Sequence, residues 1–378
     1  MSTISSAFGS AFTNSANARY APNCDMRGAT TKPWNDSPTA HFASCIERYF
    51  ELRLKITPIK VRFAPAPILD GWEAESYQLV LESPNALPED FRGSLVLRIY
   101  GNKSAIPRLD HEFSVQKFMQ SHGFPSPEPL LLEESSDWLG GPFLVRKLLP
   151  GQSLYDFIIT PIWRLWQVSR RTGFLLARLH QLPTDEFPAH SGDMLEHSFA
   201  DMQETMTSLG FKGLEPGLHW LQIHRPAPPE KPFIVHLDFH PKNIIIDDDW
   251  NLSLVDWSEA TLGDPHADFG CMEAIIRCAA IENVPLTTVP FVPVGRYILC
   301  KRIRKAYREL LPIDEHKLNY YRAWAAMVHL CREGWWLFGK PELAGGKRST
   351  RNKITPRMIR SLEQFFERYS NVRVHLPV

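Results

Sequence analysis

Three side chains with oxygen ligands lie close together in sequence between apolar runs near the middle of the chain. Asp238 is followed by Asn243 five residues later, and Asp256 comes thirteen residues after that. A hairpin between them would bring Asp256 back beside Asn243. Carboxylate and amide oxygens on a loop suit Mg²⁺, which takes few protein ligands and keeps waters and substrate phosphates. A remaining carboxylate could act as a base toward a hydroxyl, which is the layout that phosphoryl transfer requires.

Two alternatives to a phosphoryl-transfer loop exist for this segment, a structural turn and a zinc site. A lone Asp before an apolar strand is usually a turn residue, but three such positions at this spacing favour a functional interpretation. His236 and His240 are four residues apart and would share a face if they lay on a zinc-binding helix. However, Pro241 follows the second His and no Glu lies between the two. A loop is therefore predicted, with His240 as a packing residue or on the phosphate side.

The predicted elements around these residues divide into a strand-rich part and a helix-rich part of the chain. Helical periodicity runs from Phe42 to about Leu54. Short apolar segments then predict antiparallel strands at 59–69, 75–83, 93–100, 128–133 and 142–148. One helix is predicted within this set, at 107–122, where His122-Gly123-Phe124-Pro125 ends it. These segments predict a small β-rich N-lobe at residues 41–150.

The chain after Pro150-Gly151 is mostly helical in pattern. Helices are predicted at 162–181, 193–210, 215–224, 266–281, 293–311, 315–338 and 355–369. Apolar runs at 232–237, 243–246 and 252–255 predict a strand followed by a hairpin. The predicted fold class is therefore α+β. A small antiparallel sheet precedes a larger helical lobe at 151–378, which carries a helical insert at about 184–230.

Composition excludes several classes of protein. The chain has 378 residues, of which 44 % are hydrophobic and 22 % charged, so it is neither a disordered protein, a collagen nor a coiled coil. No apolar run approaches the roughly 18 residues that span a bilayer, so a membrane protein is excluded. Lys and Arg number 42, equal to Asp and Glu, which argues against a nucleic-acid partner.

The cysteines and the N-terminus bear on location. Six cysteines occur without a C-x-x-C motif, which predicts free thiols in a reducing compartment and a cytoplasmic protein. Residues 1–40 lack the pattern of a secretory signal and are rich in Ser, Ala, Asn and Thr. A disordered tail is predicted there, with an organelle transit peptide as the alternative.

The motif H-x-D-x-x-x-x-N, followed by D-W on a strand, resembles the aminoglycoside phosphotransferase and choline kinase-like family, small-molecule relatives of protein kinases. The segment 262–268, Leu-Gly-Asp-Pro-His-Ala-Asp, is similar to the family's G-D-P-x-x-D. The resemblance covers roughly residues 60–340 and implies a two-lobed protein kinase-like fold. It also implies roles in the helical lobe. These are Asp238 as base or hydroxyl-orienting residue, Asn243 and Asp256 as Mg²⁺ ligands, and His236 and Asp268 as braces of the loop.

The N-lobe resembles the same family in its nucleotide contacts. Residues 67–77, with Gly71 and Trp72, resemble the nucleotide loop, although they contain one Gly and would otherwise be an ordinary hairpin turn. Arg98 stands on the strand where the family has a phosphate-pairing Lys, and Lys103 is the substitute candidate. Glu112 stands where the family has a helix Glu that orients that cation. The alternative interpretation of Glu112 is an ordinary solvent-exposed carboxylate on a helix.

Residues 143–151 resemble the family's hinge strand. The backbone around Lys147 and Leu149 would there hold adenine.

The resemblance implies a phosphotransferase that uses ATP, or another nucleoside triphosphate, and Mg²⁺ to phosphorylate a hydroxylated small molecule. The alternative is a nucleotide-binding, pseudokinase-like module without turnover, which the absent strand Lys and the Gly-poor loop favour. Residues 184–230 carry a net charge of −6 and residues 266–378 a net charge of +9. Because these charges favour opposite ligands, a neutral or weakly charged alcohol or sugar is predicted as acceptor. No oligomeric state is predicted.

Overall fold

The computed structural model describes residues 40–64, 74–101, 105–159, 164–280, 289–339 and 354–377. It contains two compact units. One is made of the described residues up to Lys117 together with Pro127–Leu148, and the other of Phe118–Ser126 and the described residues from Leu149 onward. Except for its last residue, the tail predicted at 1–40 lies outside the described residues.

The first unit is built on a five-stranded antiparallel sheet in the order β1-β2-β3-β5-β4. Its strands are β1 (Lys60–Phe63), β2 (Ala74–Glu82), β3 (Ser94–Tyr100), β4 (Pro129–Glu133) and β5 (Phe143–Lys147). Its helices are α1 (Ala40–Leu54) and α2 (Ile106–Ser121). The last turn of α2, from Phe118 onward, belongs to the second unit. Every strand predicted in this region is present. The end of the strand predicted at 59–69, residues 65–69, lies outside the described residues.

The two faces of this sheet are covered by different helices. On one face, α1 buries Phe42, Ile46 and Phe50 in a cluster with alternate residues of the strands, such as Leu95 and Leu97. On the other face, a second cluster contains Tyr100, Leu109 of α2 and Leu144. Since side chains alternate along a strand, even-numbered residues of β3 and β5 lie on the α2 face.

The second unit is mostly helical and carries two small antiparallel sheets, β6-β8-β9 and β7-β10. The strands are β6 (Gln152–Ser153), β7 (Phe233–Val235), β8 (Ile244–Ile246), β9 (Leu252–Leu254) and β10 (Thr261–Gly263). The helices are α3 (Leu154–Ile159), α4 (Arg164–His180), α5 (Met194–Leu209), α6 (Glu215–Ile223), α7 (His266–Cys278), α8 (Val292–Tyr307), α9 (Glu315–Phe338) and α10 (Pro356–Ser370). The α+β class predicted from the sequence is thus confirmed.

The helix prediction at 293–311 is four residues too long. The helix ends at Tyr307, whose carbonyl accepts hydrogen bonds from the N–H groups of Leu310 (2.9 Å) and Leu311 (3.0 Å) and closes a turn. Among the described residues, no helix is both long and apolar enough to cross a membrane.

Helices α7 and α9 form the centre of the second unit. A Cβ added at Gly270 of α7 would stand 2.3 Å from the carbonyl oxygen of Tyr321, so the two backbones approach too closely for any larger residue. Beside this contact, the fully buried Glu273 accepts two hydrogen bonds from Arg322, at 3.1 and 3.0 Å. The ion pair therefore fixes α9 against α7, and α7 begins with the residues that hold the site described next.

Candidate active site

A fully buried carboxylate, Asp268 on α7, holds the loop that follows β7. It accepts the backbone N–H of His236 at 3.0 Å and that of Leu237 at 2.6 Å. Its other contact is with His180 on α4, whose Nε2 lies 3.0 Å away. The anchoring supports the strained backbone of Leu237, which has a left-handed φ of 60°. Asp268 therefore fixes the start of the segment 236–243.

His236 is buried and links two chain segments through its ring. Its Nδ1 accepts the N–H of Asp238 at 3.2 Å, and its Nε2 lies 3.1 Å from the carbonyl oxygen of Val255. The neutral ring with its proton on Nε2 satisfies both contacts, and burial lowers the pKa of His236. Because backbone groups occupy both nitrogens, His236 has none left for zinc. Among the described residues, no three His, Cys, Asp or Glu side chains form a group that could hold a metal ion.

Asp238 stands at the centre of the loop with two partners for its carboxylate. Oδ2 accepts a hydrogen bond from Nδ2 of Asn243 at 2.7 Å, and Nε2 of His240 lies 3.4 Å from the same oxygen. Nδ1 of His240 accepts the N–H of Lys242 at 3.2 Å, so the proton of a neutral ring lies on the nitrogen facing Asp238. The Asp238 side chain remains 23 % exposed, so a substrate can reach it.

The carboxylate of Asp238 is kept ionised. Burial alone would raise its pKa, but the electrostatic interaction and hydrogen bond with His240, together with the charge of Arg332, hold the pKa below its ordinary value. An ionised carboxylate can accept a proton, so Asp238 has the charge state of a base near neutral pH.

Asn243 and Asp256 are brought together by the β8–β9 hairpin. The carbonyl of Asn243 accepts the N–H of Val255 at 2.9 Å, which places the next residue, Asp256, beside it. The Asn243 amide donates through Nδ2 to both the carbonyl and the carboxylate of Asp238, so its Oδ1 is the atom that could ligate a metal. One carboxylate and one amide oxygen suit a hard divalent cation that keeps water and phosphate ligands.

The backbone around Asp256 is fixed by its neighbours. Asp256 has a left-handed φ of 67°, and Oγ of Ser258 lies 3.4 Å from its Oδ1. The next residue, Trp257, is fully buried, contacts the His236 ring at 4.8 Å between centroids, and donates from Nε1 to the carbonyl of Leu254. The large ring thus ties the D-W pair to the loop that carries Asp238.

Sequence reasoning missed Arg332, on α9. Its Nη2 lies 2.8 Å from Nδ1 of His329 and 3.2 Å from Oε1 of Glu333. Burial alone would lower the pKa of Arg332, but the charges of Glu333 and Asp238 raise it. No spacing marked this residue, because it is one of many charges on a long helix and lies ninety-four positions from Asp238. Only the fold reveals that these two charges interact.

The predicted nucleotide contacts that can be located lie mainly in the first unit. Nη1 of Arg98 on β3 lies 3.1 Å from Oε1 of Glu112 on α2. Glu112 is fully buried, and it also accepts hydrogen bonds from Tyr100 Oη (2.6 Å) and Gln116 Nε2 (3.0 Å). Glu112 is therefore a buried ion-pair partner and not a solvated helix carboxylate.

The remaining predicted nucleotide residues are less closely grouped. Nζ of Lys147 donates to the carbonyls of Glu89 (3.2 Å) and Arg92 (2.9 Å), so the side chain secures a turn of its own unit. Leu149 is half-buried and belongs to the second unit. The predicted Gly71 and Trp72, and the substitute cation Lys103, lie outside the described residues.

Comparison with solved structures shows the fold. A thermostable mutant of aminoglycoside phosphotransferase APH(4)-Ia, in complex with ADP and hygromycin B, superposes with a TM-score of 0.57 and 13 % identity, over 86 % of this chain and 98 % of that one. Amicoumacin kinase, in complex with AMP-PNP, Ca²⁺ and Ami, superposes with a TM-score of 0.53 and 14 % identity, over 82 % and 88 %. The two-lobed protein kinase-like fold predicted from the motifs is confirmed.

Comparison of sequences shows a relative that is several times longer than this chain. Acyl-CoA dehydrogenase family member 10 of Mus musculus is 26 % identical over an alignment of 258 positions, and the alignment covers 61 % of this chain and 23 % of the relative. The chain therefore spans about a quarter of that curated relative. The model of the phosphotransferase enzyme family (APH) matches residues 66–282, more than half of the chain. The match includes the loop at Asp238, the hairpin and Asp268, and it confirms the resemblance noted in the sequence: the chain belongs to the phosphotransferase enzyme family.

Proposed function

We propose that this protein transfers the γ-phosphoryl group of ATP, or of another nucleoside triphosphate, to a hydroxyl group of a small molecule. The observation that carries the proposal is the ionised, partly exposed carboxylate of Asp238, which is hydrogen-bonded to Asn243. A related kinase fold bound to AMP-PNP, Ca²⁺ and Ami supports the same combination of nucleotide, divalent cation and small acceptor.

In the proposed reaction, a bond forms between the acceptor oxygen and the γ-phosphorus. The bond from that phosphorus to the bridging oxygen breaks, and the nucleoside diphosphate leaves. Asp238 orients the hydroxyl and accepts its proton late in the transfer. Asn243 and Asp256 would hold Mg²⁺, which when bound neutralises charge on the phosphates. His240 and Asn243 keep the Asp238 side chain in one orientation through the contacts described above.

For the acceptor, we propose a neutral or weakly charged alcohol or sugar. The charge of Arg332 acts on Asp238, and the charges of Glu333 and Glu259 act in turn on Arg332, so charges of both signs contribute to the electrostatics of the base. A guanidinium close to the base disfavours a polycationic acceptor at that position. Activity restricted to polycationic aminoglycosides would contradict this part of the proposal.

A nucleotide titration followed by an acceptor screen tests the function. Unfolding temperature is measured with increasing ATP in the presence and absence of Mg²⁺, and ADP release is then measured against a panel of hydroxylated metabolites and antibiotics. The proposal predicts stabilisation that depends on Mg²⁺ and ADP release with at least one acceptor. No stabilisation at millimolar ATP would argue against a kinase site, whereas binding without ADP release would favour the pseudokinase-like alternative.

The metal ligands can be tested separately by substitution. Asp256→Ala removes a charged ligand and is expected to weaken Mg²⁺-dependent ATP binding by at least ~10-fold, or about 1.4 kcal/mol. Asn243→Ala removes a neutral ligand and is expected to weaken it less. Calorimetric titration of ATP with and without Mg²⁺ measures both effects. Asp249→Ala, an exposed residue of the adjacent hairpin turn, is the matched control. Unchanged Mg²⁺-dependent affinity in both site variants would show that the ligands are assigned wrongly.

A further inference from the structure

Two arginines, not one, converge on Glu112 in the first unit. Nη1 of Arg98 lies 3.1 Å from Oε1 of Glu112, and Nη1 of Arg146 lies 3.7 Å from the same oxygen. The carboxylate is fully buried, and the arginine side chains are only 11 % and 12 % exposed. The family resemblance places one strand cation beside this carboxylate, so the second guanidinium needs a reason of its own.

The strand register explains how Arg146 reaches this position. In the antiparallel pairing of β3 with β5, Arg98 stands opposite Leu144, and Arg146 stands opposite Val96. The two arginines are therefore diagonal neighbours on one face of the sheet, the face covered by α2. The one-residue alternation that buries Phe143 and Val145 against α1 directs residue 146 toward Glu112.

The electrostatics of the group favour an anionic ligand. Two guanidinium groups this close to one oxygen repel each other, and burial away from water strengthens that repulsion. Oε1 of Glu112 also accepts a hydrogen bond from Gln116, and Oε2 accepts one from Tyr100, so the carboxylate is shared among several donors. Phosphate oxygens next to both arginines would offset the repulsion, and the planar fork of Arg suits phosphate geometry.

We propose that Arg146 is a second phosphate-binding cation, which acts together with Arg98 on the phosphates of the nucleotide while Glu112 orients both side chains. The inference rests on the proposed function, because it needs a nucleoside triphosphate as ligand. It adds a residue to the nucleotide site, and it gives this chain two strand guanidiniums at a position where the family uses one cation.

The test compares nucleotides that differ only in their phosphates. Affinities for adenosine, ADP and ATP are measured by calorimetry on the wild-type protein and on Arg146→Met. The proposal predicts that the substitution weakens ATP and ADP binding by about tenfold and leaves adenosine within about twofold. Arg146→Lys, which keeps the charge, should recover part of the ATP affinity. Arg62→Met, at an exposed arginine paired with Glu82 on β1 and β2, is the matched control and should change none of the three.

Other outcomes separate this inference from the proposed function. Equal loss of all three affinities in Arg146→Met, or no loss of any, would show that Arg146 only braces the sheet. If Arg146→Met does not fold, Arg146→Gln and Arg146→Lys provide the same comparison, and equal ATP affinity in these two would likewise overturn the proposal. Failure of the wild-type protein to bind ATP would instead overturn the proposed function, and the role of Arg146 with it.

Discussion

Asp238→Asn is expected to reduce turnover by about 10²–10⁴-fold, the usual contribution of a positioned acid–base group. The substitution keeps the size of the side chain and removes its charge and its basicity. Nucleotide binding should persist, because the proposed metal ligands are Asn243 and Asp256. Steady-state ADP release with the acceptor found in the screen measures turnover, and calorimetry measures ATP affinity in the same preparation.

A matched control makes the result specific. Asp248→Asn is the same substitution on the exposed turn of the β8–β9 hairpin, ten residues away, and should leave turnover unchanged. If Asp238 were a structural turn residue, its substitution would have little effect on the rate or would prevent folding. A folded Asp238→Asn protein with near-normal turnover would refute the mechanism and leave the family assignment intact.

Asp268→Ala is expected to lower the free energy of unfolding by about 3–5 kcal/mol, as removal of one partner from a buried ionic group does. The carboxylate accepts two backbone N–H groups of the active-site loop and contacts His180, whose other nitrogen lies 2.7 Å from Tyr307 Oη. Without it, these donors remain buried with no acceptor. Urea denaturation followed by circular dichroism measures the change.

The loss of stability in Asp268→Ala should depend on the buried position of this carboxylate and not on its charge alone. Asp185→Ala removes an exposed Asp between α4 and α5, and its unfolding curve should match that of the wild-type protein. A loss in Asp268→Ala no larger than in this control would show that the loop does not depend on Asp268. Turnover of the variant should also fall at temperatures where it is still folded, because Leu237 would no longer be held at a positive φ.

The sequence predicts features that repeat or follow one another closely, and it misses those that depend on distant contacts. The strands of the first unit and the long helices α4 and α9 were predictable because their periodicity extends over many turns or several alternations. The elements α3, β6 and β10 are two to six residues long, too short for a period to be visible. They form because their partners, such as β8 and β7, are supplied by distant parts of the chain.

The candidate site shows the same division. Asp238, Asn243 and Asp256 were found because their spacing and flanking strands are local properties. The contacts of Arg146 with Glu112 and of Arg332 with His329 and Glu333 were not predicted, because a single Arg in a strand or helix carries no local signal of its partner. The fold places Arg146 thirty-four residues beyond its carboxylate, and no spacing rule connects them.

The position of α1 has a practical consequence for preparing the protein. The family match begins at residue 66, whereas α1 lies at Ala40–Leu54 and covers a whole face of the sheet with Phe42, Ile46 and Phe50. A recombinant fragment that began at the match would expose Leu79, Leu97 and their neighbours to water. Exposed apolar sheet faces drive self-association, so we expect such a fragment to aggregate during expression. Expression boundaries should therefore begin before Ala40.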